Sequence, residues 1–232
     1  MVTGKVRYSF MADLYKELIK LRNKVLKLGS LAETAIQDSV KSLVERNNDI
    51  AKKVIKKDKQ INALDIEIDE DCIRLLALGK LSARELRLVA ATLKITTDLE
   101  RIGDLSVSIA TRALELNKEP QLKPYIDIPR MADIAQKMVR DSLDAYVRGC
   151  TSIPYEIIEV DTEIDNLMEQ IFNELLFFMI QDPHTISRAT RISHIAKSLE
   201  RIADHATNIA EMVIFMCEGK LKRHRAFTKK KE

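Results

Sequence analysis

Two pairs of acidic residues recur at matched positions of the chain. Glu100 and Asp104 lie in the pentapeptide ERIGD, and Glu200 and Asp204 lie in ERIAD. A spacing of four places both carboxylates of a pair on one face of a helix, where their repulsion costs roughly 0.2–0.5 kcal/mol. Bound cations would remove that repulsion. Carboxylate oxygens suit hard cations such as iron(III), manganese or magnesium, and zinc is less favoured without histidine or thiolate ligands.

Further acids precede each pair at helical spacing. In the second half they are Asp161, Asp165 and Glu169, and the matched stretch of the first half reads Asp58, Asn62, Asp65 and Asp69. Each half therefore carries two acidic stripes that could face each other. The alternative is that these are solvated helix faces, with Arg101 and Arg201 neutralising Asp104 and Asp204 at a spacing of three. The spacing alone leaves both interpretations open.

The matched pairs belong to a longer internal repeat. Residues 99–110 and 199–210 are identical at seven of twelve positions, and upstream Asp38-Ser39 aligns with Asp141-Ser142 at a slightly different offset. A change of offset is expected where two copies have turns of different size. The chain is therefore an internal duplication.

The elements that carry these residues are predicted to be helices. Charged residues make up 31% of the chain, there are six Gly and five Pro, and Trp is absent, a composition that favours long helices. Apolar residues step by three and four almost throughout, and the segment 119–124, with prolines at both ends of PQLKP, cannot continue a helix. We predict an all-α protein of two tandem antiparallel three-helix bundles related by duplication, with a first bundle at 1–118, a linker at 119–126, a second bundle at 127–219 and a basic tail at 220–232.

Local signals predict where the helices begin. Asn47-Asn48-Asp49 offers an N-cap, Ser82 and Glu85 form a capping box, Asp127 is a candidate cap for the fourth helix, and Asp182-Pro183 opens the last. Gly29 is a point at which the first helix could loosen. The Met and Phe residues of the apolar run 175–180 (LLFFMI) are most simply core filling.

Composition and charge limit the class of protein. No signal peptide or membrane-spanning segment is predicted, and three scattered cysteines without a CxxC pair fit a reduced, cytosolic compartment. The tail 220–232 carries a net charge of 7 − 1 = +6, so the body carries 3 − 6 = −3. This distribution argues against a nucleic-acid-binding domain. Such a tail is a solvated end or a contact for an anionic membrane surface.

Catalytic signatures are weak. The sequence has no Glu-x-x-His motif, no GxSxG elbow, no HExxH and no Gly-rich phosphate loop. These absences speak against a metal-storing or metal-dependent carboxylate-bundle enzyme, which is the rival hypothesis from another class. A helical adaptor without metal is a third. His205 is a surface residue or a ligand, and Arg87 and Lys94 are solvated or contact an anion.

The stretch DKQINALDIEIDEDCIRLLALGKLSARELRLVAATLKITTDLERIGD (58–104) closely resembles the PhoU family, and LERIADHATNIAE (199–211) resembles the second-repeat motif of that family. The resemblance covers nearly the whole chain, apart from the first ten residues and the basic tail. It implies two three-helix bundles with E(D)xxxD motifs, which in some members hold multinuclear iron or zinc clusters.

The resemblance also implies a function. PhoU-like proteins are not enzymes but negative regulators of phosphate uptake and phosphate-starvation signalling, linking a Pst-type phosphate ABC transporter to a PhoR-type sensor kinase at the inner face of the membrane. We also expect a homodimer. The matching metal motifs pair Glu100 with Asp104, Glu200 with Asp204, and Asp161 with Asp165. At Asp58 the second acid of the motif is replaced by Asn62, so we expect a weaker site in the first half.

Overall fold

The computed structural model describes the backbone of residues 2–149 and 151–220, and the side chains of those residues apart from 2–11, 153, 159 and 161. The described chain forms six α-helices and no strand. The helices are α1 (Val2–Val44), α2 (Asn48–Ala77), α3 (Ala83–Leu116), α4 (Asp127–Arg148), α5 (Ser152–Gln181) and α6 (Ile186–Glu218), with a 3₁₀ turn at Pro183–Thr185. The basic tail from 221 onward lies outside the described residues.

Most of the predicted helix starts are confirmed. The Asn47 side chain accepts hydrogen bonds from the amides of Asp49 and Ile50. Ser82 and Glu85 form both bonds of a capping box. The Asp182 carboxylate accepts the His184 amide and opens the 3₁₀ turn that leads into α6.

The predicted cap at Asp127 is wrong. Asp127 is the first residue of α4, and the preceding Ile126 already has helical dihedral angles and offers no side-chain cap. The Asp127 carboxylate therefore lies in the first turn, where its negative charge interacts favourably with the positive end of the helix dipole.

Gly29 does not loosen α1, which runs unbroken through it. The residue is buried, and a Cβ atom at this position would lie 2.1 Å from Cδ1 of Leu143 on α4. Gly29 therefore allows α4 to pack closely against α1. The glycine that was expected to weaken α1 instead permits a close contact between two helices.

The predicted pair of three-helix bundles is confirmed. Helices α1, α2 and α3 pack on one another, as do α4, α5 and α6. The bundles meet through α1 against α4 and α3 against α6, and their buried apolar side chains form one continuous core. The residue limits of the two domains stay a prediction.

The apolar run on α5 is only partly core. Leu175 is fully buried, but Leu176, Phe177 and Ile180 are 41%, 58% and 74% exposed. The expectation that the Met and Phe side chains of this run fill the core is therefore wrong for Phe177, because consecutive residues of a helix point in different directions around its axis. None of the helices in the described part of the chain is long and apolar enough to cross a membrane.

Candidate acidic sites

The acids of the first half meet between α2 and α3. Burial raises the pKa of Asp58 on α2, and the charge of Asp104 on α3 raises it further. The pKa of Glu100 is raised by burial first and then by Asp104, with smaller contributions from Asp65 and Asp58. The predicted acids of this half therefore lie close enough to repel one another. We call this group the first acidic cluster (Asp58, Asp65, Glu100 and Asp104).

One carboxylate oxygen in the first acidic cluster is buried and lacks a partner. The Asn62 amide donates to Oδ2 of Asp58 over 3.2 Å, whereas Oδ1 of Asp58 has no hydrogen-bond partner in the described part of the chain. Oδ1 of Asn62 is buried and without a partner in the same way. A buried acceptor left in this state is costly unless a water molecule or a cation meets it.

Gly103 makes room for this arrangement. A Cβ atom at Gly103 would lie 3.0 Å from Cδ1 of Ile61 and 3.4 Å from Oδ1 of Asp58. The absence of a side chain therefore lets α2 approach α3 next to the acids. The second repeat has Ala203 at the matched position.

Arg101 balances the charge on the exposed side of the cluster. Its Nη1 atom lies 3.2 Å from Oδ2 of Asp104, and its Nε atom lies 3.5 Å from Oε2 of Glu100. The predicted pairing of Arg101 with Asp104 is confirmed. Because Arg101 is more than half exposed, we expect this pairing to contribute little to stability.

The second acidic cluster consists of Asp165 on α5 with Glu200 and Asp204 on α6. The pKa of Asp204 is raised by burial and by repulsion from Glu200 and Asp165, and lowered by Lys197. Since Asp204 keeps an exposed surface, we regard the repulsion as the firmer cause. The Asp161 side chain, predicted to belong here, lies outside the described residues.

A different cation balances this cluster. Lys197 lies 2.6 Å from Oε1 of Glu200, and Oε2 of Glu200 is buried without a hydrogen-bond partner among the described atoms. Arg201, which was expected to neutralise Asp204, forms no ion pair with the side chains that the structure describes. The predicted pair of Arg201 with Asp204 is therefore not formed, and Lys197, one turn earlier on the same helix, pairs with Glu200.

The acidic stripe of α2 continues beyond the first cluster. Burial raises the pKa of both Asp65 and Asp69, and the charge of Asp69 adds to the shift at Asp65. Oδ1 of Asp69 is a third buried carboxylate oxygen with no partner among the described groups. The alternative interpretation of the sequence required a fully solvated face, and the acidic stripe of α2 is partly buried.

Within the described side chains, no group of three or more His, Cys, Asp or Glu residues is arranged to hold a metal ion. The clusters present carboxylate oxygens in open pairs. Such pairs can bind a hard cation that keeps much of its water shell, in the way that one or two carboxylates hold Mg²⁺. They do not form a closed structural metal site.

A polar contact between the bundles was not predicted from the sequence. His205 on α6 lies 2.8 Å from Oδ1 of Asp98 on α3, measured from Nδ1, and the Asn208 amide lies 3.4 Å from the same oxygen. His205 is therefore a part-buried bundle contact and not a solvated surface residue. Asp98 lies two residues before the repeated pentapeptide, and only the packing of α3 on α6 identifies its partner.

Comparison with known proteins identifies relatives over both bundles. A family model described as the PhoU domain matches residues 25–113 and again residues 128–213. A phosphate-specific transport system accessory protein PhoU homolog of Aquifex aeolicus (strain VF5) is 39% identical over 94% of this chain and 99% of its own length. A homolog of the same description from Pseudomonas aeruginosa is 37% identical over 93% of this chain and 90% of its own.

Solved structures agree. The crystal structure of PhoU from Pseudomonas aeruginosa superposes with a TM-score of 0.86 at 36% identity, covering 89% of this chain and 99% of that one. The phosphate transport system regulatory protein PhoU from Streptococcus pneumoniae superposes with a TM-score of 0.84 at 30% identity, covering 90% and 99%. The similarity therefore extends over both bundles, and the family model matches the chain twice, as the internal duplication requires.

Proposed function

The chain belongs to the PhoU family, and we propose that it is a negative regulator of phosphate uptake and phosphate-starvation signalling. The observation that carries the proposal is similarity over almost the whole chain, both acidic motifs included, to relatives described as accessory proteins of phosphate-specific transport. Because the similarity covers more than nine-tenths of this chain in both relatives, it is not confined to a shared helical scaffold.

We propose that the protein acts by binding partners and not by catalysis. Its partners would be components of a Pst-type ABC transporter and a PhoR-type sensor kinase, reached from the cytoplasm at the inner face of the membrane. The exposed apolar side chains of α5, among them Phe177 and Ile180, are of the kind that protein contacts use. A homodimer stays part of the proposal.

We further propose that the acidic clusters hold hard cations. Glu100, Asp104 and Asp58 would supply the ligands in the first bundle, and Asp161, Asp165, Glu200 and Asp204 would supply them in the second. The partnerless buried oxygens of Asp58 and Glu200 support this, because a cation would satisfy both. Iron, manganese or magnesium suit this donor set better than zinc. A cation would cancel the repulsion and tie α2 to α3 and α5 to α6.

Deletion of the gene tests the regulatory proposal. Cells without the protein should accumulate phosphate or express phosphate-starvation genes in phosphate-rich medium, because restraint of the transporter is lost. Cellular phosphate and transporter transcript are measured in the deletion strain, in the parent and in the deletion strain carrying the intact gene. The intact gene should restore the parental values.

Co-purification tests the proposed mode of action. A tagged copy of the chain should recover transporter components and the sensor kinase from phosphate-replete cells, whereas the tag alone should not. If phosphate content and transcript match the parent strain and no transporter component is recovered, regulation of phosphate uptake is the wrong function. Oxidase and phosphatase assays of the purified protein would then test the rival class of carboxylate-bundle enzymes.

A further inference from the structure

A cleft of about 500 Å³ opens at the end of the molecule where α3 begins and where α4 and α6 end. Its walls come from both bundles. Tyr15 and Arg22 on α1 and Arg84 and Arg87 on α3 face Gly149 at the end of α4 and Met216 near the end of α6. This cleft, which we call the arginine cleft, is far from the acidic clusters in sequence and shares no residue with them.

Positive charge exceeds negative charge in the arginine cleft, because three arginines and one acid line it. Among the described side chains, none of Arg22, Arg84 and Arg87 forms an ion pair. Arg87 donates only to the main-chain oxygen of Met216, over 3.4 Å, and Nε of Arg22 is buried without an acceptor in the described part of the chain. The one acid lining the cleft, Glu85, already accepts the Ser82 amide at 2.7 Å in the capping box.

The opposite end of the contact between α3 and α6 is built differently. There Arg191 pairs with Glu115 at 2.8 Å and with Glu119 at 3.0 Å, and Arg188 also lies within reach of Glu119. Arginines at that end of the same interface are thus neutralised within the protein. The unbalanced charge of the arginine cleft is a local feature and not a general property of the bundle ends.

The cleft has further features that favour an anion. α3 begins at the cleft. The amides of a first helical turn point out of the N-terminal end of the helix, where the helix dipole stabilises negative charge. Gly219, which has a positive φ of 72°, lies alongside Arg87, since a Cβ atom there would be 3.6 Å from its guanidinium carbon.

We propose that the arginine cleft binds a small anion that carries a phosphoryl group. A guanidinium fork matches phosphate oxygens bidentately, and a buried Nε without an acceptor is the donor that such an oxygen would satisfy. The volume is in the range of pockets for small organic ligands, and Leu18, Leu88 and Met216 add an apolar wall. The ligand would touch α1, α3 and α6 together, so it would connect the two bundles. This binding is additional to the proposed regulatory function.

Calorimetric titration of the full chain tests the proposal with three probes: inorganic phosphate, adenosine 5′-monophosphate and adenosine. The two phosphoryl probes should bind and adenosine should not. Tighter binding of the monophosphate identifies an organic phosphate as the source of the phosphoryl group, and equal binding identifies free phosphate. If neither phosphoryl probe binds at millimolar concentration, or if adenosine binds as well as the monophosphate, the proposal is wrong.

Variants locate the binding. Arg22→Gln should weaken phosphoryl binding roughly tenfold, the change expected from losing one charge-assisted hydrogen bond. Arg84→Gln provides a second test at an exposed position that is not needed for folding. The matched control is Arg130→Gln, which removes the same charge from an exposed pair with Glu163 on α4 and α5 and should leave binding unchanged. Equal losses in Arg84→Gln and Arg130→Gln would show that binding is not in the cleft.

Discussion

The two acidic clusters derive from the same repeat but differ in how their charge is balanced. In the first, Arg101 contacts both members of the pair, and Asn62 stands where the motif would have a second acid. In the second, Lys197 contacts Glu200 alone, and burial together with repulsion from Glu200 and Asp165 raises the pKa of Asp204. Within the repeated pair, a cation therefore contacts both carboxylates in the first cluster and only one carboxylate in the second.

This difference shows what the repeat preserves. The spacing of the acids and their position between two helices are the same in both halves. The neighbouring cations differ, and Asn62 on α2 stands where the second half has Asp165 on α5. The shared part sets the type of ligand, oxygen only. The variable part sets how strongly each cluster should attract a cation. The clusters are therefore expected to differ in affinity and not in chemistry.

The largest expected effect is loss of cations from the second cluster. Glu200→Ala combined with Asp204→Ala should remove the cations of the second bundle and leave helicity intact, because both residues border the core and do not fill it. Metal content per chain, measured on protein purified without chelator, and far-UV circular dichroism give the two readouts.

The matched double variant is Glu100→Ala with Asp104→Ala, which should remove fewer cations, because Arg101 already balances that pair. Unchanged metal content in the second-cluster variant would reject the assignment of these ligands. Lost helicity would instead show that the acids are structural. Equal losses in the two double variants would show that the clusters do not differ in the way we infer.

The second prediction makes the first cluster resemble the second. Asn62→Asp should increase the cation affinity of the first bundle, because an anionic oxygen binds a hard cation more strongly than an amide does. Titration with Mn²⁺ of the variant and the unchanged protein measures the difference. Identical titrations would place Asn62 outside the ligand shell.

The third prediction concerns the one position at which the repeated pentapeptides differ. Gly103→Ala would place a methyl group 3.0 Å from Cδ1 of buried Ile61. Overpacking costs about 1–3 kcal/mol, and replacing glycine by alanine in a helix regains about 1 kcal/mol, so we expect a net loss of about 1 kcal/mol. Urea unfolding in the presence of chelator measures it. A gain in stability would mean that Ile61 moves aside and that the close approach of α2 to α3 is not required.

The smallest expected effect is on the pH dependence of stability without cations. The pKa of Asp58 is raised in the fold, so between its unfolded value near 3.8 and the raised value the folded state binds more protons than the unfolded state. Stability from this group therefore falls as pH rises through that window, and the penalty is complete above it.

Asp58→Asn removes the penalty. In chelator it should raise the free energy of unfolding at pH 7, and the gain should disappear as the pH falls below 3.8. Urea unfolding at several pH values measures the gain, with exposed Asp133→Asn as the control that should show no such change. A gain that persists at low pH would trace the effect to packing and not to charge.

Much of the fold follows from the sequence because it depends on local spacing. Apolar residues at steps of three and four predict the helices, and the side chains of Asn47 and Ser82 cap α2 and α3 as their positions indicate. The acidic pairs lie at the edges of the helix contacts for the same reason, since a spacing of four fixes one face. No knowledge of neighbouring helices is needed for any of these predictions.

Features that depend on the register between helices could not be predicted in this way. Whether Gly29 weakens α1 or admits α4 depends on where Leu143 lies. Lys197 lies three residues before Glu200, the same spacing that separates Arg201 from Asp204, so spacing alone does not tell which of the two ion pairs forms. The arginine cleft brings together Arg22 and Arg87, and only the fold shows that they face one space.

The contacts between the bundles have a symmetry that bears on the origin of the molecule. Helix α1 occupies the place in the first repeat that α4 occupies in the second, and α3 corresponds to α6. The main contacts across the bundles are α1 with α4 and α3 with α6, so each helix meets its own counterpart. Like meets like, which is the contact pattern of an isologous dimer. Because one chain carries both repeats, the pairing of the two halves is independent of protein concentration.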